Sequence, residues 1–183
     1  KSNASTWYEA EDLEFSATPD CEIKIQTRKE IAPEEKFNLW TGTGQVLIQP
    51  KANGQEMTFT IPVNEPGNYR IDALVTIAPG YGSFSTTVDQ KKADISYPEI
   101  TLTEERDYLS KPKTSMIFDA QKVYKDRENN GIENNIAGSY TVQRITLGTF
   151  ETETDHFKVS LTSGDYTPEH SLLGIDQFIV TKK

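Results

Sequence analysis

Apolar and polar residues alternate through two neighbouring stretches near the middle of the chain, residues 55–63 and 69–77. Successive side chains of a β-strand point to opposite faces, so this alternation is typical of strands with one buried face. Residues 64–68 separate the two stretches, and their proline and glycine suit a turn. The pattern predicts an antiparallel hairpin, followed by a third strand at residues 84–88.

Short runs of similar character, separated by turn residues, occur along most of the chain, and no long stripe of helical period interrupts them. Further strands are predicted at residues 7–15, 22–26, 45–50, 115–118, 121–124, 140–150, 156–161 and 172–180. Many short strands with turns between them indicate an all-β fold. We expect one domain over residues 1–183, built as a two-sheet antiparallel β-sandwich of the jelly-roll type.

The charge balance limits which classes of ligand are expected to bind. The net charge is −9, from 28 acidic against 19 basic residues. Nucleic acid is therefore not an expected partner, because phosphate binding needs clustered Lys and Arg. No apolar run is long enough to insert into a membrane. Cys21 is the only cysteine, which excludes an internal disulfide and a zinc site with several thiolate ligands.

Four segments, taken in their order along the chain, resemble the carbohydrate-binding modules of families 6 and 35, which belong to the galactose-binding-domain-like β-sandwiches. The segments are residues 8–13 (Tyr-Glu-Ala-Glu-Asp-Leu), 55–69, 78–89 and 173–180. The resemblance spans nearly the whole chain. It implies a non-catalytic module that binds a poly- or oligosaccharide, is secreted, periplasmic or on the cell surface, and accompanies other domains of a larger glycan-processing protein.

The resemblance also implies a structural calcium ion between the first and last strands. By position, its ligands would be Glu9, Glu11 and Asp176, which requires the two ends of the chain to lie side by side. Carboxylates suit Ca²⁺ because this ion prefers several hard oxygen ligands. The alternative is that Glu9 and Glu11 are solvated on an edge strand while Asp176 accepts hydrogen bonds.

For the sugar site, the family's cleft uses aromatic rings that stack on a pyranose and an asparagine just before the last strand. Trp40 and Tyr140 fall near the two aromatic positions, and Gly174 replaces the asparagine. Tyr81, between two glycines, is expected to be exposed on a loop, and His170 beside the final strand is a candidate polar contact. Alternatively, Trp40 is a core or rim tryptophan, Tyr81 packs in its turn, and His170 is an exposed loop histidine.

A catalytic function finds little support in the sequence. Glycoside hydrolysis needs two carboxylates across a cleft, and Glu151, Glu153 and Asp155 form a crowded trio between two predicted strands. No Gly-x-Ser-x-Gly motif accompanies the two histidines. We therefore expect no enzyme. The alternative to glycan binding is a structural or protein-interaction β-sandwich of the same lineage.

Overall fold

A computed structural model describes residues 4–31, 40–96, 114–129 and 140–183. The first half contains strands β1 (Ser5–Glu9), β2 (Glu14–Ala17), β3 (Glu22–Thr27), β4 (Gly44–Gln49), β5 (Glu56–Pro62), β6 (Gly67–Ile77), β7 (Ser83–Val88), β8 (Lys91–Lys92) and β9 (Ile95–Ser96). The second half contains β10 (Thr114–Ser115), β11 (Ile117–Asp119), β12 (Thr141–Thr152), β13 (His156–Gly164) and β14 (Leu173–Lys182). The helices are α1 (Arg28–Ile31) and α2 (Ala120–Asn129), with a 3-10 turn at Ala10–Asp12.

The strands form two antiparallel sheets that pack face to face. The eight-stranded sheet has the order β10-β9-β12-β6-β14-β4-β3, with β1 also paired to β14. The six-stranded sheet has the order β11-β7-β13-β5-β2, with β8 paired to β7. From β4 to β7, and again from β12 to β14, consecutive strands alternate between the sheets, as in a jelly roll. The predicted all-β sandwich is confirmed.

The predicted hairpin of residues 55–63 and 69–77 is wrong. β5 pairs with β13 and β2, whereas β6 pairs with β12 and β14 in the opposite sheet. The buried faces of the two strands meet other strands across the core: Phe59 of β5 lies edge-on to Phe178, with ring centroids 5.0 Å apart. Alternation fixes which face of a strand is buried and leaves its hydrogen-bonding partner open, so residues 63–66 cross between the sheets instead of closing a hairpin.

Two other local predictions are also wrong. The first strand does not run from residue 7 to residue 15, because the 3-10 turn separates β1 from β2 and the two strands enter different sheets. The strand predicted at residues 121–124 is part of helix α2. Asp119 explains this start, since its Oδ1 accepts the backbone N–H of Gln121 at 3.0 Å and of Lys122 at 3.2 Å, which is the geometry of an N-cap.

The two ends of the chain lie side by side, as expected. β1 pairs antiparallel with β14 in a continuous register from Ser5 opposite Thr181 to Glu9 opposite Gln177. β14 lies inside the eight-stranded sheet, with β6 on one side and with β1 and β4 on the other. None of the helices in the described ranges has the length and hydrophobicity needed to cross a bilayer.

Candidate functional site

The three carboxylates predicted to bind calcium gather around the backbone of residues 41–43. Glu9 ends β1, Glu11 lies in the 3-10 turn, and Asp176 is in β14. The backbone N–H of Thr41 donates to Oδ1 of Asp176 at 3.1 Å, and the Thr41 hydroxyl donates to Oε2 of Glu9 at 2.8 Å. The N–H of Thr43 donates to Oε1 of Glu11 at 2.9 Å. We call Glu9, Glu11 and Asp176 the acidic cluster.

Gly42 fits between the two glutamates because it has no side chain. Its φ is +57°, and a Cβ built there would lie 2.3 Å from Oε1 of Glu11 and 3.1 Å from Oε2 of Glu9. Both the left-handed backbone and the close approach therefore require glycine at this position. On the same loop, the carbonyl of Gly42 accepts a hydrogen bond from Nη2 of Arg28 at 3.1 Å.

Asp176 has the largest pKa shift in the acidic cluster. Its side chain has no exposed surface, and burial raises its pKa from 3.8 to about 7. The charges of Glu9 and Glu11 contribute to this increase, while the hydrogen bonds from Thr41 oppose it. Burial also raises the pKa of Glu9. Oε2 of Glu11 is buried and has no hydrogen-bond partner within the described part of the chain.

The donor chemistry of the acidic cluster fits calcium, since the cluster offers carboxylate oxygens, one of them buried and unpartnered. The carboxylates are oriented towards the N–H and hydroxyl groups of residues 41–43. Among residues 4–31, 40–96, 114–129 and 140–183, no group of three acidic, histidine or cysteine side chains is arranged to hold a metal ion. Calcium at the acidic cluster therefore stays a prediction.

Three of the four residues predicted to bind sugar lie together at the end of the sandwich where β12 and β14 begin. The ring of Tyr140 is edge-on to Trp40, at a centroid distance of 6.1 Å, and edge-on to Tyr81, also at 6.1 Å. We call these residues the aromatic cluster. Trp40 and Tyr81 are only 1% exposed, so neither presents a free face, and the expected exposure of Tyr81 is wrong. Tyr140 is half-buried.

A chain of hydrogen bonds accounts for the burial of the two inner rings. Nε1 of Trp40 donates to the hydroxyl of Thr76 at 3.0 Å, and that hydroxyl donates to Oε1 of Gln45. Nε2 of Gln45 in turn donates to the Tyr81 hydroxyl at 2.8 Å. The polar atoms of both rings are thus satisfied inside the protein, which removes the usual cost of burying them. Sequence reasoning missed Gln45, although it is the one polar residue at the start of an apolar run.

Gln45 also explains why residue 174 is a glycine. A Cβ built on Gly174 would lie 2.2 Å from Oε1 of Gln45 and 2.8 Å from its Cδ. Gln45 is fully buried and hydrogen-bonded, so it cannot move aside without breaking the buried hydrogen bonds. Any side chain at residue 174 would therefore displace the amide that connects Thr76 to Tyr81.

His170 lies at the rim of the same end of the molecule. Its loop packs against the loop of Tyr81, where the N–H of Gly82 donates to the carbonyl of Leu172 at 2.8 Å and the N–H of Ser171 donates to the carbonyl of Gly80 at 3.0 Å. The His170 side chain is exposed. The side chain is thus free to meet a ligand, and the role of His170 as a sugar contact stays a prediction.

The carboxylates considered for catalysis lie at the end of β12 and in the connection that follows it. Glu151, Glu153 and Asp155 are all exposed. The carboxylate of Asp155 lies 2.9 Å from Nδ1 of His156, and this hydrogen bond lowers the pKa of Asp155. A low pKa keeps a carboxylate ionised, which suits a surface ion pair and is the opposite of what a general acid needs.

No protein-family model and no curated protein sequence matches the chain. Among solved structures, a xanthan lyase from Paenibacillus matches 97% of this chain at 12% identity with a TM-score of 0.58. A β-(1,4)-mannanase from Podospora anserina, described as GH26-CBM35, matches 99% at 14% identity with a TM-score of 0.52. The chain spans 13% and 28% of the length of these two proteins.

A family 35 carbohydrate-binding module from Clostridium thermocellum matches 98% of this chain and 99% of its own length, with a TM-score of 0.48 and 11% identity. At such low identities, the likeness of the first two structures shows the fold alone. The chain is a β-sandwich whose fold resembles part of a xanthan lyase and part of a mannanase described as GH26-CBM35.

Proposed function

We propose that this chain is a non-catalytic carbohydrate-binding module, part of a larger glycan-processing protein that is secreted, periplasmic or on the cell surface. The observation that carries the proposal is the pairing of β1 with β14, which brings Glu9, Glu11 and Asp176 to one loop beside three clustered aromatic rings. The fold supports it, since similar sandwiches occupy 13% and 28% of a xanthan lyase and a mannanase.

In this proposal the acidic cluster holds a structural calcium ion. Glu9, Glu11 and Asp176 would supply the carboxylate oxygens, and the buried, unpartnered Oε2 of Glu11 supports this assignment. When bound, the ion would neutralise the mutual repulsion of the three carboxylates. The chain's own part is to hold the loop: Thr41 hydrogen-bonds both Glu9 and Asp176, and so ties the first strand to the last.

The ligand is a poly- or oligosaccharide that binds above the aromatic cluster. Tyr140 is its stacking ring, because it is the one aromatic of the cluster with substantial exposed surface. Trp40 and Tyr81 support this ring from behind through their edge-on contacts. His170 supplies a polar contact at the rim.

Binding to a glycan array, measured with calcium and with a chelator, tests this function. The wild-type protein is expected to bind at least one glycan in calcium, and Tyr140→Ala to lose most of that affinity, because a stacked ring contributes about 1 kcal/mol or more. Tyr140→Phe is the matched control and keeps a flat ring. Equal affinity of the alanine and phenylalanine variants would place the sugar away from Tyr140.

One observation favours the alternative, a structural or protein-interaction sandwich without sugar binding. Trp40 and Tyr81 are core residues here, which leaves a single ring at the expected cleft. If the folded wild-type protein binds no glycan in either condition, this alternative replaces the proposed function.

A further inference from the structure

Trp7 is an exposed aromatic residue that the sites described so far do not use. It is 51% exposed and lies in β1 opposite Ile179 of β14, which in turn lies opposite Asp72 of β6. The neighbours of Ile179 along β14, Phe178 and Val180, belong to the core. Because side chains alternate along a strand, Trp7, Ile179 and Asp72 form a row on the outer face of the eight-stranded sheet.

A guanidinium group stands over the indole of Trp7. Cζ of Arg144 lies 5.5 Å from the ring centroid, within the range of a cation–π contact. The guanidinium is held in place because its Nε and Nη2 donate to Oδ2 of Asp72 at 3.0 and 2.5 Å. Nη2 of Arg70 lies 3.4 Å from the same oxygen. Trp7, Arg70, Asp72 and Arg144 make up what we call the Trp7 face.

The Trp7 face has an excess of positive charge and unused donors. Two guanidinium groups meet one carboxylate, in a protein whose net charge is −9. The side chains of Arg70 and Arg144 are 36% and 34% exposed. Within the described residues, Nε of Arg70 is buried without a hydrogen-bond partner, and the bonds of Arg144 to Asp72 leave its Nη1 free. Glu9 points to the same face, but Thr41 and Gln177 bind its carboxylate.

We propose that the Trp7 face is a second glycan site, separate from Tyr140, and that its ligand carries acidic groups, either carboxylates or sulfates. The exposed part of the indole offers an apolar surface to a pyranose ring, and the guanidinium that stands over the ring can pair with an anionic substituent of the same sugar. The choice of carbohydrate as the ligand rests on the proposed function. We expect an acidic carbohydrate because the buried aspartate holds two positively charged arginines at this face.

Fluorescence quenching can follow this site directly, because the chain has two tryptophans and Trp40 is buried. Acrylamide is expected to quench Trp7, and a bound sugar to protect it. Oligogalacturonate supplies carboxylates, a chondroitin sulfate oligosaccharide supplies sulfates as well, and methyl-esterified oligogalacturonate is the matched uncharged control. At least one acidic ligand is expected to protect Trp7, the ester to bind about tenfold more weakly, and added salt to reduce the difference.

Variants assign the binding to named residues, with affinity measured by calorimetry. Trp7→Ala is expected to abolish binding of the acidic oligosaccharide, and Trp7→Phe to retain most of it. Arg144→Lys keeps a positive charge beside Asp72 but loses the planar fork, so a loss of about tenfold is expected. Tyr140→Ala is expected to leave this affinity unchanged.

The proposal is overturned if no acidic ligand protects Trp7, if the methyl ester binds equally well, or if Trp7→Ala binds like the wild type. Failure of this second site is distinguishable from failure of the proposed function. In the first case a glycan still binds through Tyr140, whereas in the second the folded protein binds no glycan, acidic or neutral.

Discussion

The buried carboxylate of Asp176 makes the stability of the protein depend on pH in a defined direction. Burial raises its pKa from 3.8 to about 7, a difference of roughly three units. One unit corresponds to about 1.4 kcal/mol, so the ionised carboxylate disfavours the folded state by up to about 4 kcal/mol when no cation is bound. This is a large share of the stability of an ordinary domain, about 5–15 kcal/mol.

The sign follows from which protonation state the folded protein prefers. The folded pKa lies above the unfolded value, so the stabilising contribution of the neutral carboxyl is fully present below about pH 4 and is lost as the pH rises to about 7. With a chelator present, the free energy of unfolding of the wild type should fall across this window. Asp176→Asn keeps the shape without the charge, so its stability should exceed that of the wild type by up to about 4 kcal/mol at pH 8 and converge with it near pH 4.

Calcium should reverse the order of the two proteins at pH 8. An ion held at the acidic cluster would bind the ionised carboxylate, so the wild type should gain stability on adding calcium while Asp176→Asn gains little. Urea denaturation followed by tryptophan fluorescence, at pH 4, 6 and 8 with calcium or with a chelator, measures each of these free energies of unfolding. Glu169→Gln, at an exposed carboxylate, is the control and should follow the wild type. A difference between wild type and Asp176→Asn that stays constant from pH 4 to 8 would refute the reasoning.

Three further substitutions test packing at single positions, each by the free energy of unfolding. Gly42→Ala should cost about 1–3 kcal/mol, because the left-handed backbone disfavours a side chain and the new Cβ meets Glu11; an unchanged stability would contradict this. Gly174→Ala should cost about 1–3 kcal/mol by overpacking against Gln45, and a cost that persists when Gln45 is also replaced by Ala would exclude that cause. Thr86→Val should stabilise by about 1 kcal/mol, since the buried Thr86 hydroxyl has no partner within the described residues; destabilisation would show that it does.

The apolar pattern predicted where the strands lie, but it did not determine which strands pair. β4, β12 and β14 occur where apolar runs predicted them, because burial of one or both faces imposes the pattern directly. The partner of β5 depends on the crossing of residues 63–66 between sheets, and a proline and a glycine are compatible with either a hairpin or a crossing. Helix α2 was missed because its start depends on one capping aspartate, Asp119, inside a strand-like run.

For the candidate site, too, the sequence predicted the positions of residues better than their surroundings. Glu9, Glu11 and Asp176 were placed by resemblance, and the structure gathers them around residues 41–43. The grouping of Trp40 with Tyr140 was foreseen as well, and the burial of Trp40 was one of the two alternatives that the sequence left open. That burial depends on partners distant in sequence, Gln45 and Thr76, whose pairing exists only once β4 and β6 have joined their sheet.

The acidic and aromatic clusters are joined by two consecutive residues, so a cation at the acidic cluster would affect the proposed sugar site without touching it. Thr41 holds Asp176 and Glu9, while Trp40 before it packs edge-on against Tyr140. With the carboxylates repelling one another, Thr41 is the bridge that resists their separation, and any shift of Thr41 moves Trp40 and the support behind Tyr140. A cation at the acidic cluster would remove that repulsion. Chelation is therefore expected to weaken glycan binding at Tyr140 while sparing the Trp7 face, whose arginines are anchored by Asp72 in the middle of the sheet.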